Sequence, residues 1–329
     1  MAIAVSHLGR PCGERLVLVT AMFLLSCDAC LAEVKNITVA EDGSGDYETV
    51  QEAIYAVRDQ NSECTVIHIT PGIYQGPIIV PKDKTNVTFE GEDAAKVILT
   101  YPFNKISCVQ IQGDDFRAEK VTFQNTFGDY GPALRIDSDR AVLKNCRVLG
   151  WQDTLMINNG RQYFKDCYIE GTVDVIFGSG TAVFDHCEIH SKDYGFITAA
   201  STPENRPYGF VFLNCKLTAD PKAWIDPTGA TTPKPPKDIK AYLGRPWRPN
   251  ASVTYINCYM GDHIKPKGWR NWRKTENEKT ARYAEYNSTG PGAIAGKRVP
   301  WSKQLVKEEA DKITIEAVLG GKDNWKPDE

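Results

Sequence analysis

Five cysteines recur at Cys146, Cys167, Cys187, Cys215 and Cys258, each closing a short strand-like phrase and followed by an alternating apolar stretch. Their spacings are 21, 20, 28 and 43 residues, the last read as about two coils. Short strands repeating every 20 to 22 residues, without long helices between them, are the mark of a parallel β-helix, whose coils bury their interior only by stacking on one another. Leucine-rich repeats share the period but not the residue pattern. A two-sheet sandwich gives the cysteines no reason to hold phase. Small apolar side chains suit the narrow interior of a coil, where free cysteine behaves as a buried hydrophobe. Rung spacing would also permit a disulfide such as Cys167 to Cys187.

The other phrases fit this plan. Residues 48–57 carry Val50, Ala53, Ile54 and Val57 at helical spacing, which predicts a short amphipathic helix capping the N-terminal end. Residues 66–69, 86–91 and 118–125 read as strands. Residues 220–240 are rich in Pro, Lys, Thr and Asp, and read as a long surface loop of the kind that shapes a binding cleft. Residues 313–319 with Trp325 read as a closing segment over the last rung. The expected architecture is all-β, with a short N-terminal capping helix and long cleft-forming loops, in one domain spanning residues 33–329.

Residues 1–32 stand apart. Arg10 and Arg15 precede an apolar run over residues 16–25, and small residues follow to Ala32. This is the layout of a secretory leader, and the run is too short for a comfortable membrane span. The phrase Leu24-Leu25-Ser26-Cys27 leaves a lipid anchor on Cys27 as the alternative. Export makes disulfides possible, but seven cysteines remain beyond the leader, so at least one stays unpaired within a single chain. Asn36, Asn86, Asn250 and Asn287 each begin a glycosylation sequon. A net charge of -3 and the lack of a basic run argue against nucleic acid. The five histidines are scattered and no CxxC pair exists, so neither a metal site nor a cofactor is expected.

Chemistry enters at two acidic motifs. Asp153 follows Cys146 by seven residues, and Asp174 follows Cys167 by seven, so both hold the same phase of the 21-residue repeat. On stacked coils their backbones would lie roughly 4.8 Å apart. Two carboxylates that close do not both ionise cheaply, so one becomes an acid while the other serves as base or nucleophile. Either aspartate alone would be read as a turn residue; the shared phase makes the pair a candidate active site.

Five features now appear in order across nearly the whole mature chain: Asp42-Gly43-Ser44-Gly45-Asp46-Tyr47, Gly150-Trp151-Gln152-Asp153-Thr154-Leu155, Asp174-Val175-Ile176-Phe177-Gly178, Leu243-Gly244-Arg245-Pro246-Trp247 and Gly268-Trp269-Arg270-Asn271-Trp272. Together they resemble the pectin methylesterases, carbohydrate esterases with a right-handed parallel β-helix. The resemblance implies hydrolysis of galacturonate methyl esters with release of methanol. It makes Asp174 the nucleophile, Asp153 the general acid and then base, Gln152 an oxyanion donor and Arg245 the partner that orients Asp174. It places Phe177 and Trp247 along a sugar-binding cleft, and extends that cleft to Trp269 and Trp272, with the core as their other placement. Its implied partners are methylated homogalacturonan and a proteinaceous inhibitor, for a monomer acting in the cell wall. One position departs from the family: Tyr130 stands where a Gln is usual, 22 residues before Gln152. A non-catalytic polysaccharide-binding relative is the alternative that Tyr130 raises. Gly76 is a smaller departure, standing where the family carries Glu.

Overall fold

A computed structural model describes residues 35–102, 106–220 and 238–327. The leader, and most of the loop expected over residues 220–240, lie outside the described residues.

The chain turns its corners with a repeated backbone device. Asn145, Asp166, His186, Asn214 and Asn257, each immediately before a ladder cysteine, have φ between 52° and 56°. Asn and Asp tolerate this left-handed region best, because their short side chains can bond locally. Each cysteine phrase read as one strand is therefore two, whereas the 66–69 and 86–91 phrases are single strands, Thr65–Ile69 and Val87–Gly91. The 118–125 phrase divides at Lys120 (φ 54°) into Arg117–Glu119 and Thr122–Gln124, and the phrase before Asp153 divides at Asn145 into Ala141–Lys144 and Arg147–Leu149.

Every paired strand runs parallel to its neighbours. Among the described residues one sheet has 11 strands, from Lys35–Val39 to Lys303–Gln304. A second, of 13 strands, forms two lanes that the long strands Tyr168–Gly178 and Glu188–Ala200 bridge by running through both. Leu134, Leu155 and Ile176 pair in succession at steps of 21 residues, confirming the period. The stacked coils form a right-handed parallel β-helix. Lys216 pairs directly with Tyr259, so Cys215 and Cys258 sit on adjacent rungs. The 43-residue step between them is therefore one coil of the series, not two.

The interior is a column of like residues. Phe164, Phe184, Phe212 and Tyr255 stack with ring centroids 4.7, 4.6 and 4.4 Å apart. Offset stacking of this kind adds about 1 kcal/mol per pair beyond area burial. The five ladder cysteines are buried and free, and the Cys167 thiol donates to the carbonyls of Leu143 and Lys165.

The ends are finished differently from each other. The N-terminal helix Val50–Ala56 is capped by Thr49, whose hydroxyl accepts from the Glu52 amide, and it buries Val50, Ala53 and Ile54 over the first coil. The C-terminal helix Ile315–Leu319 does not cover the last rung. Val318 and Leu319 pack on Val142, Tyr163, Val183 and Val211, which face outward from four successive strands of the 11-stranded sheet. That apolar stripe would otherwise meet water. Arg161 fastens the segment by bonding both Asp139 and Asp323.

Candidate active site

Asp153 and Asp174 occupy equivalent points on adjacent coils, handled by the backbone in two ways. Asp153 (φ 60°) lies in the turn between strands Arg147–Leu149 and Leu155–Ile157. Asp174 (φ 53°) lies inside the continuous strand Tyr168–Gly178, where the pairing with the following strand shifts register between Val173 and Ile176. The bulge does within a strand what the turn does one rung earlier, re-aiming a single side chain. The Asp153 amide donates to the Val173 carbonyl at 2.9 Å, tying the two rungs at the point where chemistry is expected.

Arg245 reaches Asp174 from a later coil. Its Nε donates to Oδ1 at 2.9 Å and its Nη2 to Oδ2 at 2.6 Å, a bidentate ion pair with the carboxylate side chain only 6% exposed. The Arg245 amide bonds the Thr198 carbonyl and the Trp247 amide bonds the Ala200 carbonyl, so the whole segment lies flat on strand Glu188–Ala200. A Cβ on Gly244 would stand 2.0 Å from the Thr198 hydroxyl, and only glycine lets these strands meet. The guanidinium is held between two rings, 4.0 Å from the Phe196 centroid and 3.6 Å from that of Trp272. Fixing a planar cation between aromatic faces leaves it one productive orientation.

The two carboxyls are thereby pushed apart. Burial, then the charge of Asp174, raises Asp153 to about 7, against the weaker pull of Arg245 and a hydrogen bond from Gln152. Burial also raises Asp174, but its two bonds to Arg245 and the charge behind them draw it back. The fork from Arg245 favours the charged form of Asp174, while Asp153, without such a partner, is the carboxyl that holds its proton further up the pH scale. A charged oxygen paired with a nearby acid is the equipment for acyl transfer with proton donation to the leaving group.

The aromatic positions divide. Phe177 and Trp247, both half-buried, lie with ring centroids 6.2 Å apart, three residues beyond Asp174 and two beyond Arg245 respectively. Tyr130 is 37% exposed and pairs through its backbone with Gln152 on the following coil. Trp269 corrects the cleft reading: it is fully buried, packs between Tyr255 and Tyr283, and donates from Nε1 to Glu285. The side chain of Trp269 points into the coil, so no sugar ring can touch it. Trp272, three residues on, is the ring that reaches Arg245. Phe196 escaped sequence reasoning: it pairs with Val173, the residue before Asp174, and the register shift that follows hides this from simple counting. His263 is buried without a partner for Nε2, and burial lowers it to about 4, leaving it neutral. Among the described residues no cluster of His, Cys, Asp or Glu is arranged to hold a metal, and no helix is long and apolar enough to cross a membrane.

A family model described as Pectinesterase matches residues 36–322, nearly all of the β-helix. The chain belongs to the pectinesterase family. It is 41% identical to Pectinesterase 31 of Arabidopsis thaliana over 303 residues, covering 85% of this chain and 90% of that one. It is 36% identical to Pectinesterase 4 of the same plant, of whose length it spans 47%. Among solved structures, the pectin methylesterase from carrot superposes with a TM-score of 0.79 at 32% identity, covering 87% of this chain and 93% of that one. The protein is accordingly a carboxylic ester hydrolase, and its reaction is hydrolysis of the methyl esters of pectin.

Proposed function

We propose that Asp174 is the nucleophile of this hydrolysis and Asp153 its proton carrier. The observation that supports the reading best is the asymmetry of the pair, with one carboxylate clamped by Arg245 and its neighbour titrating at about 7. An Asp174 oxygen attacks the ester carbonyl of a methylated galacturonate, and the negative charge gathers on the former carbonyl oxygen, toward the side-chain amide of Gln152. The carbon–methoxy bond then breaks, and methoxide leaves as methanol with the proton of Asp153. Asp174 is left acylated as a mixed anhydride. Asp153, now ionised, takes a proton from water as that water attacks the substrate acyl carbon. The galacturonic acid unit departs and gives its own acid proton to solvent, Asp174 recovers its charge, and Asp153 again holds a proton.

Phe177, Trp247 and the exposed Tyr130 form the walls against which the polymer lies, while Arg245 carries out its part through Asp174 rather than by touching sugar. The leader-like residues 1–32 and the similarity to plant pectinesterases support action as a secreted, monomeric cell-wall enzyme open to a proteinaceous inhibitor. The test is methanol release from highly methylated pectin by the wild type, Asp174→Asn and Asp153→Asn. Release by the wild type with both variants silent is the expected result; substantial release by Asp174→Asn would remove the nucleophile assignment.

A further inference from the structure

Lys192 belongs to none of the motifs above, yet its ammonium is committed to the turn that carries Gln152 and Asp153. From strand Glu188–Ala200 its Nζ donates to the Gly150 carbonyl at 3.2 Å and to Glu170 Oε1 at 3.0 Å. It also sits 3.6 Å from the centroid of the Trp151 ring. The side chain is only 13% exposed, and that of Glu170 19%. Glu170 is fixed in turn by the hydroxyl of Tyr168 at 3.1 Å. A lysine rarely gives up its hydration unless charge and hydrogen bonding replace it, and here a carboxylate, a carbonyl and an aromatic face do so together.

The turn is held from several sides, Gly150 N–H and Gln152 N–H donating to the carbonyls of Glu170 and Asp129 at 3.3 Å each. Its far side is tied to the next coil, through Thr172 N–H to the Trp151 carbonyl at 2.9 Å and Asp153 N–H to the Val173 carbonyl. Thr154 Oγ1 donates to the same Trp151 carbonyl at 2.8 Å. Those bonds fix the backbone of Trp151 and Asp153, and Lys192 holds both the Gly150 carbonyl at the entrance and the Trp151 ring beside Gln152. We infer that Lys192 is a positioning residue for the ester hydrolysis, holding the 150–153 turn so that the Gln152 amide and the Asp153 carboxyl face Asp174. The inference rests on the roles proposed above for Gln152 and Asp153. A displacement near 1 Å at such a turn costs catalysis about a hundredfold without needing to alter binding.

The experiment compares the wild type, Lys192→Met, Lys192→Arg and Glu170→Gln in methanol release from methylated pectin and in amide hydrogen exchange. Lys192→Met should lower kcat at least tenfold with KM changed less than twofold. It should also speed exchange of the Gln152 and Asp153 amides about tenfold, while Phe164 and Phe184 exchange as before. Arginine, which can stack on Trp151 and pair with Glu170, should restore most of both. Glu170→Gln gives a smaller loss of the same kind, and decides the matter if the methionine variant does not fold. Unchanged kcat and turn exchange in the variants would overturn the inference, as would losses that merely follow the folded fraction. If the wild type itself releases no methanol, the functional reading fails, and exchange at the turn still decides whether Lys192 clamps it.

Discussion

Among the guanidinium–carboxylate pairs of the described residues, two have the most deeply buried carboxylates, Glu285 with Arg298 and Asp174 with Arg245. Glu285 and Arg298 are each 3% exposed, and every side of that pair is filled. Arg298 bonds both oxygens of Glu285, then spends its remaining donors on the carbonyls of Lys265, Pro266 and Gly292, while Trp269 donates to the same carboxylate. Asp174 and Arg245 form the same bidentate fork, but the cation is flanked by the rings of Phe196 and Trp272 instead of carbonyls, and its side chain stays 21% exposed. The larger difference is the neighbour. Glu285 meets an indole N–H; Asp174 has a second carboxyl one rung away, driven up to about 7. In the mechanism proposed above that second carboxyl supplies the proton, and without one the same ion pair would be only a fastening.

Substitutions can break this contrast from either side. Asp174→Asn should lower kcat by a factor on the order of 10⁴ or more while the thermal midpoint moves little, since Arg245 keeps a hydrogen-bond acceptor. Arg298→Met should do the reverse, leaving Glu285 buried and unpaired at a cost of about 3–5 kcal/mol in stability. Methanol release per folded molecule should then stay within about twofold of wild type. Arg245→Lys keeps the charge but loses the fork and the ring contacts, and about a hundredfold in kcat should go with them.

The pH dependence sharpens the comparison. With Asp153 as the proposed acid, kcat/KM should fall as pH rises through about 7, and Asp153→Asn should abolish turnover rather than shift the limb. The stability sign is opposite to that of an ordinary salt-bridged carboxylate. A carboxyl raised above its ordinary 3.8 binds its proton more tightly when folded, so stability declines as pH climbs from 3.8 to about 7. Asp153→Asn should therefore raise the melting midpoint at pH 8 by a few degrees, and the gain should vanish near pH 4. The smallest effect belongs to Tyr130→Gln, which should raise kcat by a few-fold if an amide there adds a second oxyanion donor. An unchanged rate would show that Gln152 suffices.

Much of this was legible in the residues. The phase of the cysteines carried the coil period, and carried with it the juxtaposition of Asp153 and Asp174, because a solenoid turns sequence distance into spatial register. What escaped were features set by direction rather than spacing. Trp269 and Trp272 are three residues apart, and one faces Glu285 while the other faces Arg245; nothing in the string Gly268-Trp269-Arg270-Asn271-Trp272 says which. The single left-handed residue that divides each phrase into two strands is equally silent when it is a lysine or histidine, as at Lys120 and His186. The C-terminal segment was misplaced because the stripe of Val142, Val183 and Val211 becomes one surface only after the coils have stacked.

The stacking order has a consequence for how the enzyme loses activity. In a linear array each rung is stabilised only by the rungs beside it, so disorder enters at the ends and travels inward. The strands leading to Asp153 and Asp174, Ala141–Lys144 and Arg161–Lys165, are fifth and sixth among eleven, and the Arg245 segment falls between the eighth and ninth. The C-terminal helix lies against this same middle stretch, where Arg161 anchors it. Fraying can thus consume several terminal coils on warming while the carboxyl pair remains assembled, and turnover should disappear only when the central coils open together.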